Sequence, residues 1–193
     1  LAKQVTSPES GVTVWFTGLS GAGKTTIAVA LEAVLRDIGA RVERLDGDIV
    51  RESLTRDLGF SKEDRDKNLE RVSFVAKLLT RNGVIVLASF ISPYEDSRRR
   101  CRDEIGAFLE VHVKASLDTL VQRDVKGLYK RALAGEIQNF TGVNDPYEEP
   151  VAPDLVVDTE RLTVDGAVVE VLGLLRRGGY VAFEDADLEA VAR

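Results

Sequence analysis

The sequence predicts an α/β fold: a five-stranded parallel sheet with helices on both faces and a lid segment. Three observations predict it. Five short apolar or β-branched runs alternate with helix-like segments, the pattern of a parallel sheet covered on both sides. The stretch Gly18-Leu19-Ser20-Gly21-Ala22-Gly23-Lys24-Thr25 joins the first run to the first helix with the spacing of a phosphate-binding loop. The loops at 18–25, 46–48 and 91–94 all fall at the carboxyl ends of strands, where such sheets bind ligands.

The elements follow in order. Residues 1–10 are polar and read as a flexible lead-in. Val12-Thr13-Val14-Trp15-Phe16-Thr17 is a buried strand, and the helix after the glycine loop runs through Thr26 and Leu35 to a stop at Gly39. Residues 41–45 form a second strand ending in Asp46-Gly47-Asp48. A short helix from Ile49 to Thr55 follows, with Asp48 near its N-cap. Ser61-Lys62-Glu63-Asp64 is a capping pattern that opens a long helix to Arg81. Residues 84–89 are a continuous apolar run, as a central parallel strand requires. After the loop at Ile91-Ser92-Pro93-Tyr94, a charged helix reaches Ile105 and ends at Gly106. Residues 108–113 make the fourth strand and 117–123 a helix. Residues 126–153 carry glycines and prolines around a short helix at 129–134 and read as a lid-like excursion. Residues 155–157 are the fifth strand and 165–177 the last helix. An acidic tail, 181–193, closes the chain.

Composition bounds the function. The 193 residues suit one domain with a full core. A net charge of −6 argues against a general nucleic-acid surface. A single cysteine, Cys101, excludes an internal disulfide and a cysteine metal cluster, and suits a reducing cytoplasm. No apolar run approaches a membrane span, and no signal peptide is visible. The chain begins at Leu1 and contains no methionine, which reads as a trimmed chain or a domain of a longer polypeptide.

The glycine loop supplies chemistry. Its backbone N–H groups can curl round phosphate oxygens, and the following helix adds partial positive charge there. Lys24 would reach the β- and γ-phosphates and the Thr25 hydroxyl would hold Mg²⁺. The loop alone leaves GTPase, ATPase and small-molecule kinase open. No Asn-Lys-x-Asp guanine reader occurs, which argues against a GTPase. The strand at 84–89 ends in Ser-Phe and not in Asp, so the aspartates after the second strand are left to serve the metal.

Several stretches together resemble the adenylylsulfate (APS) kinase family. They are residues 18–26, Leu45-Asp46-Gly47-Asp48, Gly59-Phe60-Ser61-Lys62-Glu63-Asp64-Arg65, Ser89-Phe90-Ile91-Ser92-Pro93-Tyr94, residues 123–129, residues 135–142 and Asp145-Pro146-Tyr147-Glu148. The resemblance spans 11–180 and implies a P-loop kinase domain. It implies transfer of the γ-phosphoryl of MgATP to the 3′-hydroxyl of APS, in sulfate assimilation. It also implies a homodimer and leaves open a fusion to ATP sulfurylase. Two alternatives remain: a non-catalytic APS-binding regulatory domain, which the intact Lys24-Thr25 and Asp46-Gly47-Asp48 oppose, and a P-loop kinase of another small acceptor.

The site residues implied are these. Gly18, Leu19, Ser20, Gly21, Ala22, Gly23, Lys24, Thr25, Thr26 and Arg123 would bind ATP, with Arg123 on the adenine. Asp46, Arg51, Phe60, Arg65, Asn68, Ile91, Ser92, Lys126, Gly127, Leu128 and Phe140 would bind APS, with Phe60 and Phe140 sandwiching its adenine. Asp48 is the base candidate ahead of Asp46, and Thr25 and Asp48 are metal candidates. Lys24 and Lys126 would stabilise charge on the migrating phosphoryl. Ser92 occupies the family's phosphoserine position, yet direct in-line transfer needs no covalent step, and a hydrogen bond to substrate suffices. Arg98-Arg99-Arg100 with Arg102 reads as a solvated helix face, and His112 and Cys101 as structural.

Overall fold

A computed structural model describes residues 10–124 and 126–182. The lead-in up to residue 9 and most of the acidic tail read from the sequence lie outside them. Five strands form one wholly parallel sheet in the order β2-β3-β1-β4-β5. In chain order the elements are β1 (Val12–Thr17), α1 (Lys24–Asp37), β2 (Val42–Asp46), α2 (Gly47–Glu52), α3 (Lys62–Thr80), β3 (Ile85–Ser89), α4 (Glu95–Ile105), β4 (Phe108–Lys114), α5 (Leu117–Arg123), α6 (Leu128–Leu133), β5 (Leu155–Asp158) and α7 (Val164–Arg177).

Strand periodicity divides the core. Val12, Val14 and Phe16 of β1 face α1 and α7, in one cluster with Ile27, Leu31, Val171 and Leu175. Trp15 faces the other way and packs with Val72 and Ala76 of α3 and Cys101 and Ile105 of α4. Side chains that alternate across a pleat therefore feed two helical layers. Trp15 stacks between Phe90 and Phe108, at centroid distances of 5.3 and 5.6 Å.

The chain leaves β1 for β2 on one side and leaves β3 for β4 on the other. This makes a topological switch point between β1 and β3, where a ligand crevice forms. Two caps behave as the sequence predicts or nearly so. Ser61 caps α3 by accepting from the Asp64 N–H at 3.1 Å. For α2 the N-cap is Asp46 and not Asp48: the Asp46 carboxylate accepts from the Asp48 N–H at 3.0 Å. The helix starts at Gly47, two residues earlier than its apolar pattern indicates.

The charged helix α4 departs from its sequence reading at one residue. Arg98 is buried, with 1% of its side chain exposed, while Arg99 is exposed and pairs with Asp96. The partners that bury Arg98 come from β4 and from the segment before β5. They are distant in sequence, so helix periodicity did not reveal them. His112 and Cys101 are buried in structural positions. Burial holds the His112 imidazole below its usual pKa and pushes the Cys101 thiol up to about 12, so the thiol stays protonated and unreactive.

Candidate active site

The glycine loop bridges β1 and α1 at the switch point. Gly18 has φ +147° and passes so close to β4 that a Cβ would lie 2.3 Å from the Val113 carbonyl oxygen. Only glycine permits that approach. Lys24 folds back under the loop, and its Nζ donates to the carbonyls of Gly18 and Leu19, each at 2.8 Å. Burial pulls its pKa down to about 8, against the opposing pull of Asp46 and Asp48. A phosphate arriving there would meet a buried cation whose charge the fold does not fully offset.

The Thr25 hydroxyl donates to Asp46 Oδ2 at 2.6 Å. Asp46 is buried and so holds two donors, the Thr25 hydroxyl and the Asp48 N–H. Asp48 is aimed outward, with its side chain 75% exposed, and meets Lys126 Nζ at 2.5 Å. Ser20, Gly21, Gly23, Lys24, Thr25, Thr26, Asp46, Asp48, Lys126 and Leu128 line one cavity of about 290 Å³. Gly127 stands just outside it as the N-cap of α6, at φ +65°. The oxygens of Thr25, Asp46 and Asp48 are the hard donors that Mg²⁺ takes alongside substrate phosphates. Among the described residues no cluster of three or more His, Cys, Asp and Glu competes as an all-protein metal cage.

A second cavity of about 130 Å³ adjoins the first. Arg51, Phe60, Arg65, Asn68, Ile91 and Ser92 line it, and it shares Asp48 and Ile91 with the phosphate cavity. Phe60 is exposed, with the Arg51 guanidinium 4.3 Å and that of Arg65 5.8 Å from its ring centre. Burial and the like charge of Arg65 hold the Arg51 pKa below its ordinary value. Two arginines that disfavour each other round an open ring make a site that gains from an anion. Loop carbonyls fix both: Arg51 donates to Leu58 and Gly59, and Arg65 donates to Phe60 and, at 2.6 Å, to Asn139. The Asn68 carbonyl oxygen is taken by the Thr55 hydroxyl at 2.7 Å.

Two expected site residues have other partners in the fold. The Phe140 ring meets Tyr129 edge-on at 5.0 Å and packs on the α1 side of the core, and it is not among the residues that line this cavity with Phe60. The Ser92 hydroxyl is already paired: Trp15 Nε1 donates to it at 3.0 Å, and it donates to Thr17 Oγ1 at 3.0 Å. Thr17 in turn donates to the Ile91 carbonyl at 2.7 Å. Ser92 thus shapes the loop from behind, at a left-handed φ of +41°.

Sequence reasoning passed over three residues. The Tyr129 hydroxyl donates to the Ser20 carbonyl at 2.8 Å and braces the glycine loop from α6. Asp124 lines the phosphate cavity and accepts from the N–H groups of Tyr129 and Lys130. Thr159, just past β5, accepts from Arg123 through its hydroxyl and carbonyl at 3.1 and 2.9 Å. Its methyl borders Gly23, so Thr159 ties Arg123 to the side of the glycine loop. The position of Thr159 at a strand's carboxyl end was the signal available for it.

The match to known proteins decides the family. The sequence model described as adenylylsulphate kinase matches residues 10–158.

The chain belongs to the adenylylsulphate kinase family.

A probable adenylyl-sulfate kinase of Pseudomonas aeruginosa is 64% identical over 162 residues, 84% of this chain and 76% of that protein. The adenylyl-sulfate kinase of Halothermothrix orenii is 58% identical over 173 residues, 90% of this chain and 94% of its own. The structure of the Mycobacterium tuberculosis APS kinase CysC in complex with AMPPNP and APS superposes with a TM-score of 0.83 at 44% identity, covering 88% of this chain and 99% of that one. Shikimate kinase from Aquifex aeolicus shares the fold alone, at 13% identity and a TM-score of 0.51. The kinase is thus a phosphotransferase built on the P-loop kinase sheet.

Proposed function

We propose that this kinase transfers the γ-phosphoryl group of ATP to the 3′-hydroxyl of adenylyl sulfate, yielding 3′-phosphoadenylyl sulfate and ADP. One observation carries the reading. The phosphate cavity and the arginine–phenylalanine cavity meet at Asp48 and Ile91, so a donor in one and an acceptor in the other would react beside a carboxylate. The M. tuberculosis relative, crystallised with both AMPPNP and APS, supports the same pair of ligands.

The roles follow from the geometry. Loop N–H groups and Lys24 hold the β- and γ-phosphates. Arg51 and Arg65 receive the phosphosulfate, and Phe60 takes a face of the adenine. Asp48 accepts the proton as the 3′-oxygen bonds to the γ-phosphorus and the bond to the β,γ-bridging oxygen breaks. Asp46 positions Thr25 and the start of α2, and is too committed to serve as base. Lys126 leaves Asp48 for the migrating phosphoryl. Magnesium, held by Thr25 and Asp46, would neutralise charge on the phosphoryl oxygens. Ser92 forms no covalent intermediate, because its hydroxyl is buried and already paired. A homodimer acting in the cytoplasm completes the reading, on the family resemblance and the single buried cysteine.

The experiment is an ADP-release assay with a panel of acceptors. APS is expected to support turnover, and AMP is not. Turnover with AMP and none with APS would replace the acceptor while leaving the fold assignment untouched.

A further inference from the structure

Arg98 is among the largest fully buried side chains, and the proposed reaction makes no direct use of its guanidinium. Its Nη1 donates to the Ser92 carbonyl at 2.7 Å. Its Nη2 donates to the Glu148 carbonyl at 2.8 Å and to the Glu95 carboxylate. Its Nε lies 2.8 Å from Glu110 Oε1, and the Tyr147 ring centre is 5.9 Å away. One guanidinium therefore grips two segments far apart in sequence. The first is the loop after β3, which carries Ile91 and Ser92 along the acceptor cavity. The second is the strap at 147–149 that returns the lid-like excursion to the sheet.

Two more bonds tie the same segments. The Glu148 N–H donates to the Pro93 carbonyl at 2.8 Å, and the Glu95 N–H donates to the Glu148 carboxylate at 2.7 Å. The Tyr147 hydroxyl meets Thr17 at 3.1 Å, beside the Ser92–Thr17 contact.

Burying a guanidinium is costly, and an apolar side chain would fill the volume at less expense. A fork of donors to two backbone carbonyls is what an apolar side chain cannot supply. Ser92 also sits in a left-handed conformation that a non-glycine residue keeps only when its surroundings impose it. The bond to its carbonyl is such an imposition.

We propose that Arg98 is a positioning residue for the acceptor: it fixes the loop at 91–93 opposite Arg65 and Asn68 and locks that loop to the strap. The proposal rests on the reading that this cavity receives the acceptor. Lysine keeps the charge but has no planar fork, so it cannot hold both carbonyls and Glu110 in this geometry. Arg98→Lys therefore separates positioning from charge.

The test is steady-state kinetics with each substrate varied in turn, alongside thermal unfolding. Arg98→Lys is expected to raise the KM for APS about tenfold, as small misplacements of binding groups do, and to leave the KM for ATP within about twofold. Glu95→Gln is the milder change, because the side chain is 35% exposed and the amide keeps an oxygen to accept from Arg98. It loosens one edge of the guanidinium and should raise the KM for APS by about two- to threefold, again sparing ATP. A purely structural Arg98 would lower the unfolding temperature and leave both KM values alone, which overturns the proposal. An equal rise in both KM values also overturns it. A wild-type enzyme that ignores APS would overturn the underlying reading and the proposal together, whereas normal wild-type turnover with an unmoved APS KM in the folded variants sinks the proposal alone.

Discussion

Lys126 and Asp48 are joined across the mouth of the phosphate cavity, Nζ to Oδ2, at 2.5 Å. One comes from the lid-like excursion and the other from the turn after β2. Both side chains are exposed, 60% and 75%, so water screens the pair and it holds the lid only weakly. Substrate phosphates can take Lys126 from Asp48 at little cost, freeing the carboxylate as the lysine finds a new anion.

Asp48→Asn should therefore lower kcat by about two orders of magnitude or more while ATP affinity changes little, since general-base contributions are of that size. Asp46→Asn should act differently. It weakens the α2 cap and the Thr25 contact, so a loss of metal-nucleotide affinity and a lower unfolding temperature are expected. Kinetics paired with calorimetric titration of a non-hydrolysable ATP analogue checks both. Indistinguishable effects of the two variants would contradict the division of roles.

Ligand binding should draw a proton onto Lys24. Its pKa in the folded chain is about 8, against an ordinary 10.5, because burial disfavours the charged form. Nucleotide phosphates favour the charged form, so affinity is full below pH 8 and falls above it, by about tenfold near pH 9. The stability of the ligand-free fold has the opposite sign. Between the two pKa values the unfolded chain binds the proton and the folded chain does not, so stability rises with pH there. Titration in buffers of different ionisation enthalpy would reveal the uptake. An affinity flat from pH 7 to 9.5 would refute it.

Ser92→Ala should stay within about tenfold of wild-type kcat and lose about 1–3 kcal/mol of stability, because the buried Trp15 N–H is left without its acceptor. Rapid-quench labelling from γ-labelled ATP should find no phosphoenzyme. An inert but folded variant would restore the covalent route.

Phe60→Ala should weaken APS binding several-fold through the lost stack, worth about 0.5–1.5 kcal/mol beyond buried area, and spare ATP. Phe140→Ala should be less selective. Its ring supports Tyr129, which braces the Ser20 carbonyl, so both ligands are expected to bind less tightly. Titration of each ligand against each variant decides. An APS-specific loss in Phe140→Ala would return that ring to the adenine.

The sheet was legible because its strands are continuous apolar runs and its loops hold the glycine, aspartate and proline signals at the carboxyl edge. The α3 cap at Ser61 was legible for the same local reason: donor and acceptor lie three residues apart. The site was less so where partners are distant. Asp46 and Asp48 carry the same side chain in one short turn, and only the path of the backbone tells which is turned inward. Arg98 sits in a run of arginines whose pattern says solvent, while its carbonyl partner at Glu148 is 50 residues away. Phe140 lies in an excursion without regular structure, where no periodicity indicates which way a ring points. Many of the residues that the family resemblance implies line the two cavities, but packing and not sequence decides which side chains do.

The central claim is transfer to the 3′-oxygen of adenylyl sulfate. Two-dimensional proton–phosphorus correlation of the product formed from ATP and APS tests it most directly, because it identifies the carbon bearing the new phosphate. The account predicts a new phosphorus coupled to the ribose H3′, formed in step with ADP. Coupling to H2′, or ADP released with no phosphorylated adenylyl sulfate, would contradict it.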